Sequence, residues 1–106
     1  MVEVLKRELE LVRLHADDNV ACLPTATTKG EQIRFADQSW LLSSSLGPGF
    51  KIAIRSISVG EKIIKFGSPI GSATMGIAAG EVVHLHNLKS DYIATYTLDE
   101  GSKYGN

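Results

Sequence analysis

Short runs of aliphatic and aromatic residues, separated by glycine-containing turns, dominate the hydrophobic pattern of this chain. Three of the runs begin with a Gly-Glu pair: GEQIRF from Gly30, GEKIIKF from Gly60 and GEVVHLH from Gly80. Because glycine adopts a positive φ cheaply and β-branched and aromatic residues favour strands, each pair predicts a chain reversal followed by a strand. The unequal spacing of the three pairs indicates repeated turn chemistry within one domain and argues against a solenoid.

Other short runs rich in β-forming residues predict further strands, at 9–15, 19–23, 39–43, 51–54 and 70–75. Turns are predicted at 47–49, 67–69 and 76–80, where Gly, Pro and Ser cluster. Only residues 1–11 have an apolar spacing that fits a helix as well as a strand. The fold class is therefore predicted to be all-β, with many short strands in one compact domain.

Length and charge narrow the classes of function. A chain of 106 residues has the size of one domain and is small for an enzyme with its own substrate cleft. A net charge of -1 with scattered Lys and Arg argues against a nucleic-acid partner. No apolar run approaches the roughly 18 residues of a membrane span, and the charged first residues are unlike a secretory signal, so a cytoplasmic location is expected. The lone Cys22 is expected to be a small buried residue.

The last residues differ in character from the rest, because all three tyrosines of the chain lie in segment 91–106. One interpretation is a solvated tail, as chain ends commonly are. The other is an arm that docks onto another subunit, since tyrosine is enriched in the cores of interfaces.

Two histidines, His84 and His86, stand two positions apart at the end of the third Gly-Glu run. In a strand they would share one face with Cα atoms about 6.6 Å apart. Both imidazoles would then reach one zinc- or iron-type ion, given a third ligand from elsewhere. The alternative is a pair of polar residues at a strand end, hydrogen-bonded to Asn87 or to the backbone.

Two other places carry candidate chemistry. In HADDN, His15 is a candidate metal ligand or proton carrier, and Asp17, Asp18 and Asn19 are candidate ligands for a metal or for substrate hydroxyls. The same residues also suit a polar turn that needs no substrate. Lys51, which follows GPGF, suits a carboxylate or phosphate as a point charge, but it also suits a solvated surface.

Taken in order, three segments resemble the N-terminal SAF-type domain of the altronate and galactarate dehydratase family. They are LHADDNVACL at 14–23, GPGFKIAIRSISVGEKIIKFGSPIGSAT at 47–74 and IAAGEVVHLHNLKS at 77–90. The resemblance implies a β-clip fold over 12–90, preceded by an extension or first strand at 1–11 and followed by an arm at 91–106. It also implies that most of the catalytic machinery lies in a much longer C-terminal region, which in some members is a separate large subunit.

The resemblance further implies a reaction, a cofactor and residue roles. Family members eliminate a group β to a carboxylate, as water from a sugar acid or sulfite from sulfolactate. They are associated with a divalent metal, commonly Fe2+, held mainly or jointly by the large subunit. Carried over by position, the catalytic residues would be His15 and Lys51, the substrate-binding residues Asp18 and Asn19, and the metal ligands His84 and His86. The chain departs from many relatives at Phe50 and Val82, where those relatives have histidine.

The expected function is therefore that of a small subunit of an altronate dehydratase type hydro-lyase, acting with a large catalytic subunit on an acidic sugar-like substrate. Homo-oligomerisation is a further expectation. One alternative is the small subunit of a (2R)-sulfolactate sulfo-lyase. Another is a non-catalytic SAF module that binds carbohydrate or organises an assembly, and a third is a fragment of a longer dehydratase.

Overall fold

The computed structural model describes residues 8–91, which form nine short β-strands. The strands are β1 (Glu8–Glu10), β2 (Val20–Cys22), β3 (Gln32–Phe35), β4 (Gln38–Leu41), β5 (Lys51–Ala53), β6 (Lys62–Lys65), β7 (Ser68–Ala73), β8 (Val82–Val83) and β9 (Leu88–Lys89). The prediction of an all-β fold with many short strands is confirmed.

The strands form three sheets of three strands each, in the orders β1-β3-β4, β2-β5-β8 and β6-β7-β9. The pairing of β1 with β3 is parallel, and the other pairs of named strands are antiparallel. β3 and β4 form a hairpin, as do β6 and β7, whereas the middle sheet joins strands that are distant in the sequence.

The middle sheet, β2-β5-β8, is buried on both faces. Ala21 and Ile52 pack into one apolar cluster, whereas Val20, Ala53 and Val83 pack into a second cluster behind them. Successive side chains of a strand point to opposite faces, so a sheet between two cores requires apolar residues at consecutive positions. This explains why NVACL and KIAI are continuous apolar runs without alternation.

The three Gly-Glu pairs make the same turn. The glycine φ angles are 91°, 84° and 92° at Gly30, Gly60 and Gly80, in the left-handed region that favours glycine. In each turn the glutamate carboxylate accepts a hydrogen bond from a backbone N–H three residues earlier, at Thr28, Ser58 and Ala78. The predicted turn chemistry is thus confirmed at all three places.

Several local predictions are corrected. β8 ends at Val83, and the residues from His84 to Asn87 form a turn before β9. His84 and His86 therefore do not share one face of a strand. Cys22 is only half-buried; it lies in β2 and pairs with Lys51 of β5. Of the ambiguous segment 1–11, Glu8–Glu10 form a strand, and 1–7 lie outside the described residues. So does the predicted arm after Asp91.

No helix among residues 8–91 is long and apolar enough to cross a membrane.

Candidate functional site

The hairpin turn between β6 and β7 is held by a buried carboxylate. Phe66 and Gly67 have φ angles of 58° and 77°, which is the pattern of a type I′ turn. Asp18, only 4% exposed, accepts hydrogen bonds from both of their backbone N–H groups, at 2.8 Å and 2.7 Å. The carboxylate thus fixes the turn from a position 48 residues earlier in the chain.

Electrostatics agree with this role for Asp18. Burial by itself would raise the pKa of the carboxyl group, because it disfavours the charged form. The backbone hydrogen bonds from Gly67 and Phe66, together with the backbone and the charge of His15, outweigh burial and hold the pKa below its ordinary value. Asp18 is therefore an ionised, buried acceptor at neutral pH.

Asn19 acts on the adjacent strand β6. Its side-chain amide donates to the carbonyl oxygen of Lys62 at 2.9 Å, and its side-chain oxygen accepts from the N–H of Ile64 at 2.8 Å. The pairing of β6 with β7 shifts register between Ile63 and Ile64, so the asparagine serves backbone groups at an irregular point of the strand. Both residues predicted to bind substrate, Asp18 and Asn19, thus have structural partners, and their substrate-binding role stays a prediction.

His15 lies on the same turn. Its ring packs so closely over Gly67 that a Cβ atom there would come within 3.0 Å of the imidazole. The Nδ1 atom accepts a hydrogen bond from the backbone N–H of Asp17 at 3.0 Å, which places the proton of the neutral ring on Nε2. The side chain is 48% exposed, and its Cδ2, Cγ and Nε2 atoms are the ones closest to Gly67.

A second group of residues forms a pocket at the start of β5. The pocket has a volume of about 220 Å³ and is lined by Pro48, Gly49, Phe50, Lys51 and His84. The rings of Phe50 and His84 contact each other in a tilted arrangement with centroids 5.1 Å apart. The structure therefore brings Lys51 and His84 together, although 33 positions separate them in the sequence.

Lys51 is the charged group of this pocket. Burial lowers the pKa of its ammonium group, and the positive charge of Lys65 lowers it further, while Cys22 has the opposite effect. Within residues 8–91, no carboxylate lies within ion-pair distance of Lys51 or Lys65. Two cations without a counter-ion in the described part of the chain, one of them in a pocket, are suited to an anionic ligand such as a carboxylate.

The second predicted metal ligand, His86, is exposed in the turn after β8 and does not line the pocket. Asn87 organises this turn: its side chain accepts from the N–H of His84 at 2.9 Å and donates to the carbonyl oxygen of Val82 at 3.0 Å. Residues 8–91 contain no group of three His, Cys, Asp or Glu side chains that would hold a metal ion. The described residues therefore do not make a metal centre by themselves, and the ligand roles of His84 and His86 stay predictions.

Three residues at these sites were not among the sequence-predicted site residues. Phe50 was noted only as a departure from relatives, yet it forms a wall of the pocket. Lys65 and Phe66 lie in the segment that carries the family resemblance. Gly67, which follows Phe66, is the one feature of the local sequence that indicates an exposed turn there. Their proximity to Lys51 and Asp18 depends on the pairing of distant strands, which local patterns do not specify.

Three known proteins and one family model are similar in sequence to this chain. The family model of the altronate/galactarate dehydratase SAF domain matches residues 9–91. Altronate dehydratase of Escherichia coli (strain K12) is 35% identical over 83 residues, covering 78% of this chain and 17% of the relative. Altronate dehydratase of Bacillus subtilis (strain 168) is 35% identical over 80 residues, covering 76% of this chain and 16% of the relative.

The chain therefore spans about one sixth of the length of these two relatives. A third relative, (2R)-sulfolactate sulfo-lyase subunit alpha of Chromohalobacter salexigens, is 43% identical over 42 residues, covering 40% of this chain and 45% of the relative. The family match spans the three sheets, the Asp18 turn and the Lys51 pocket. The chain belongs to the altronate/galactarate dehydratase SAF domain family.

Proposed function

We propose that this domain forms one wall of the active site of a lyase whose other residues come from a longer catalytic chain. The substrate class is a small hydroxy acid, and the reaction is elimination of water β to its carboxylate. The observation that carries the proposal is the pocket in which Lys51, without a counter-ion among residues 8–91, lies beside His84. Membership of the SAF family and the small share of the altronate dehydratases that the chain covers support it.

Lys51 is proposed to bind the carboxylate of the substrate. Removal of the proton next to a carboxylate places additional negative charge on the carboxylate oxygens, and a fixed cation at that point stabilises the charge as it develops. The partial burial that lowers the pKa of Lys51 also strengthens its attraction for an anion, because less water screens it.

His15 is proposed to assist the leaving group. Because Nδ1 accepts a hydrogen bond from the Asp17 N–H, the neutral ring carries its N–H at Nε2. This N–H is proposed to donate a hydrogen bond to the departing hydroxyl, while the proton that leaves with it comes from the catalytic chain. The His15 ring packs against Gly67. His84 lines the Lys51 pocket and, with His86, is the predicted contribution of this domain to a divalent metal held mainly by the catalytic chain.

A second candidate is the sulfo-lyase reaction, in which sulfite leaves from the carbon β to the carboxylate. The partial match to a sulfo-lyase subunit alpha favours it. Sulfite is a better leaving group than hydroxide, so this reaction depends less on a hydrogen-bond donor such as His15. A non-catalytic carbohydrate-binding or assembly module is the remaining alternative, and it predicts no loss of turnover when the pocket is altered.

The test is reconstitution with the large lyase chain of the same organism. Purified chains are mixed, and formation of the 2-oxo acid or of sulfite is measured with candidate sugar acids and with sulfolactate, with and without Fe2+. We expect turnover only when both chains are present, and a fall of at least 100-fold for Lys51→Met in this domain. The matched control is Lys29→Met, which removes an exposed lysine in the first Gly-Glu turn. Full activity of the large chain alone, or unchanged activity of the Lys51→Met complex, would refute the proposal.

A further inference from the structure

Phe66 is an exposed aromatic residue at the tip of the β6–β7 hairpin. Its relative exposure is 71%, and it is the only aromatic residue among the large hydrophobic side chains exposed within residues 8–91. The side chain therefore adds little to the core of this domain. Its position is nevertheless tightly defined, because Asp18 binds its N–H and the next one.

The backbone at Phe66 is unfavourable for this residue type. A φ of 58° lies in the left-handed region, where residues other than Gly, Asn and Asp are uncommon. Asn and Gly are the preferred residues of a type I′ turn, since they reach this conformation at a lower energetic cost. Ala36, in the turn between β3 and β4, has a similar φ of 53°, so the positive φ is common to both hairpins. What distinguishes the β6–β7 turn is that it presents a phenyl ring to solvent.

We propose that Phe66 is the anchor through which this domain docks into an apolar pocket of the catalytic chain. This inference rests on the proposed function and identifies the contact by which the two chains complete the site. A rigid aromatic side chain on a fixed turn suits such an anchor, because interface energy is concentrated in a few buried aromatic or arginine residues. Little conformational entropy is lost on binding, since the turn is already held by two charge-assisted hydrogen bonds.

The neighbours of Phe66 favour the catalytic chain over a second copy of this domain. His15 packs on the adjacent Gly67 and its side chain is 48% exposed, so insertion of the tip brings the imidazole ring to the surface of the partner. Lys65 precedes Phe66, and a two-fold contact between two tips would bring the two Lys65 charges together. Like charges across an interface oppose association.

The experiment compares Phe66→Asn with the unaltered chain in binding to the large lyase chain, by titration calorimetry. Asparagine keeps the turn and relieves its strain, so we expect a higher melting temperature for the variant domain and a dissociation constant at least tenfold larger. Phe66→Gly, which also relieves the strain, should give the same two results. The control is Val59→Asn, which removes a 66% exposed side chain from the turn before β6 and should change the dissociation constant by less than twofold.

The outcomes separate this inference from the proposed function. If the unaltered domain does not bind the large chain, the proposed function fails. If it binds and both Phe66 variants bind equally well, the anchor is refuted while the shared site stands. If the variants instead abolish self-association of the domain in sedimentation measurements, the occupant is a second copy and the inference is overturned.

Discussion

The buried carboxylate of Asp18 offers the sharpest test of how this domain is held together. It is 4% exposed and accepts two backbone hydrogen bonds from the β6–β7 turn, at 2.8 Å and 2.7 Å. The informative change is Asp18→Asn, because asparagine has nearly the same shape but carries one acceptor oxygen instead of two. In the variant an NH2 group must face one of the N–H groups of Phe66 and Gly67.

The magnitude follows from those two bonds. A hydrogen bond to a charged group contributes about 1.5–3 kcal/mol, and a buried donor left without an acceptor costs a similar amount. Asp18→Asn loses one such bond outright and weakens the other by removing the charge. We expect the free energy of unfolding to fall by about 2–4 kcal/mol, which is a large part of the total stability of about 5–15 kcal/mol for a small domain.

The measurement is urea unfolding of the 106-residue chain at several pH values. The pKa of Asp18 is lower in the folded chain than its ordinary value, so its contribution is present above the unfolded pKa of 3.8. That contribution is lost as pH falls through the folded pKa. Asp18→Asn should therefore be less stable at pH 7 and should lose less further stability on acidification than the unaltered chain.

Asp17→Asn is the matched control, because the neighbouring side chain is 77% exposed and exposed substitutions usually change stability by less than about 0.5 kcal/mol. Equal stability of Asp18→Asn and the unaltered chain at pH 7, or parallel stability curves below pH 5, would refute the account of the turn.

Three further predictions concern other parts of the fold. Gly80→Ala should lower the free energy of unfolding by about 1–3 kcal/mol more than Gly60→Ala does. Both positions have a positive φ, but only at Gly80 would a Cβ atom meet the ring of Trp40. Equal melting temperatures of the two variants would contradict this. Lys51→Met should change the free energy of unfolding at pH 7 by less than about 0.5 kcal/mol, because burial already disfavours the charged ammonium in the folded chain. The same variant should abolish turnover. The unaltered chain should gain stability as pH rises through the lowered pKa of Lys51, and a variant with the same alkaline profile would argue against that assignment. Asn87→Ala should cost about 1–3 kcal/mol in urea unfolding, because it removes both side-chain bonds of the turn after β8, and an unchanged midpoint would show that the turn does not need them.

The sequence predicted the features that depend on local chemistry. The Gly-Glu turns followed from the ability of glycine to adopt a positive φ, and β5 was predicted within one residue of its observed end at Ala53. The strand prediction failed at His84, because the side chain of Asn87 supplies a hydrogen bond that closes a turn there. That competition between side chain and strand pairing is not visible in a pattern of apolar residues.

The candidate site was less accessible to prediction than the fold. Lys51 and His84 were each recognised as candidates, but the pocket that unites them depends on the pairing of β5 with β8. The partners of Asp18 lie 48 and 49 residues away in the chain. Local sequence shows that an Asp suits a turn, but not that it holds a turn formed by another segment.

The middle sheet has a consequence for how the chain folds. The hairpins β3–β4 and β6–β7 close over short distances in the sequence, whereas Lys51 of β5 must meet both Cys22 and Val83 before the middle sheet exists. Closing such long loops loses chain entropy before any contact repays it, and proteins dominated by non-local pairing fold in milliseconds to seconds. The two hairpins are thus expected to form early, and the Lys51 pocket, which needs β5 and β8 in register, should be among the last parts of the domain to appear.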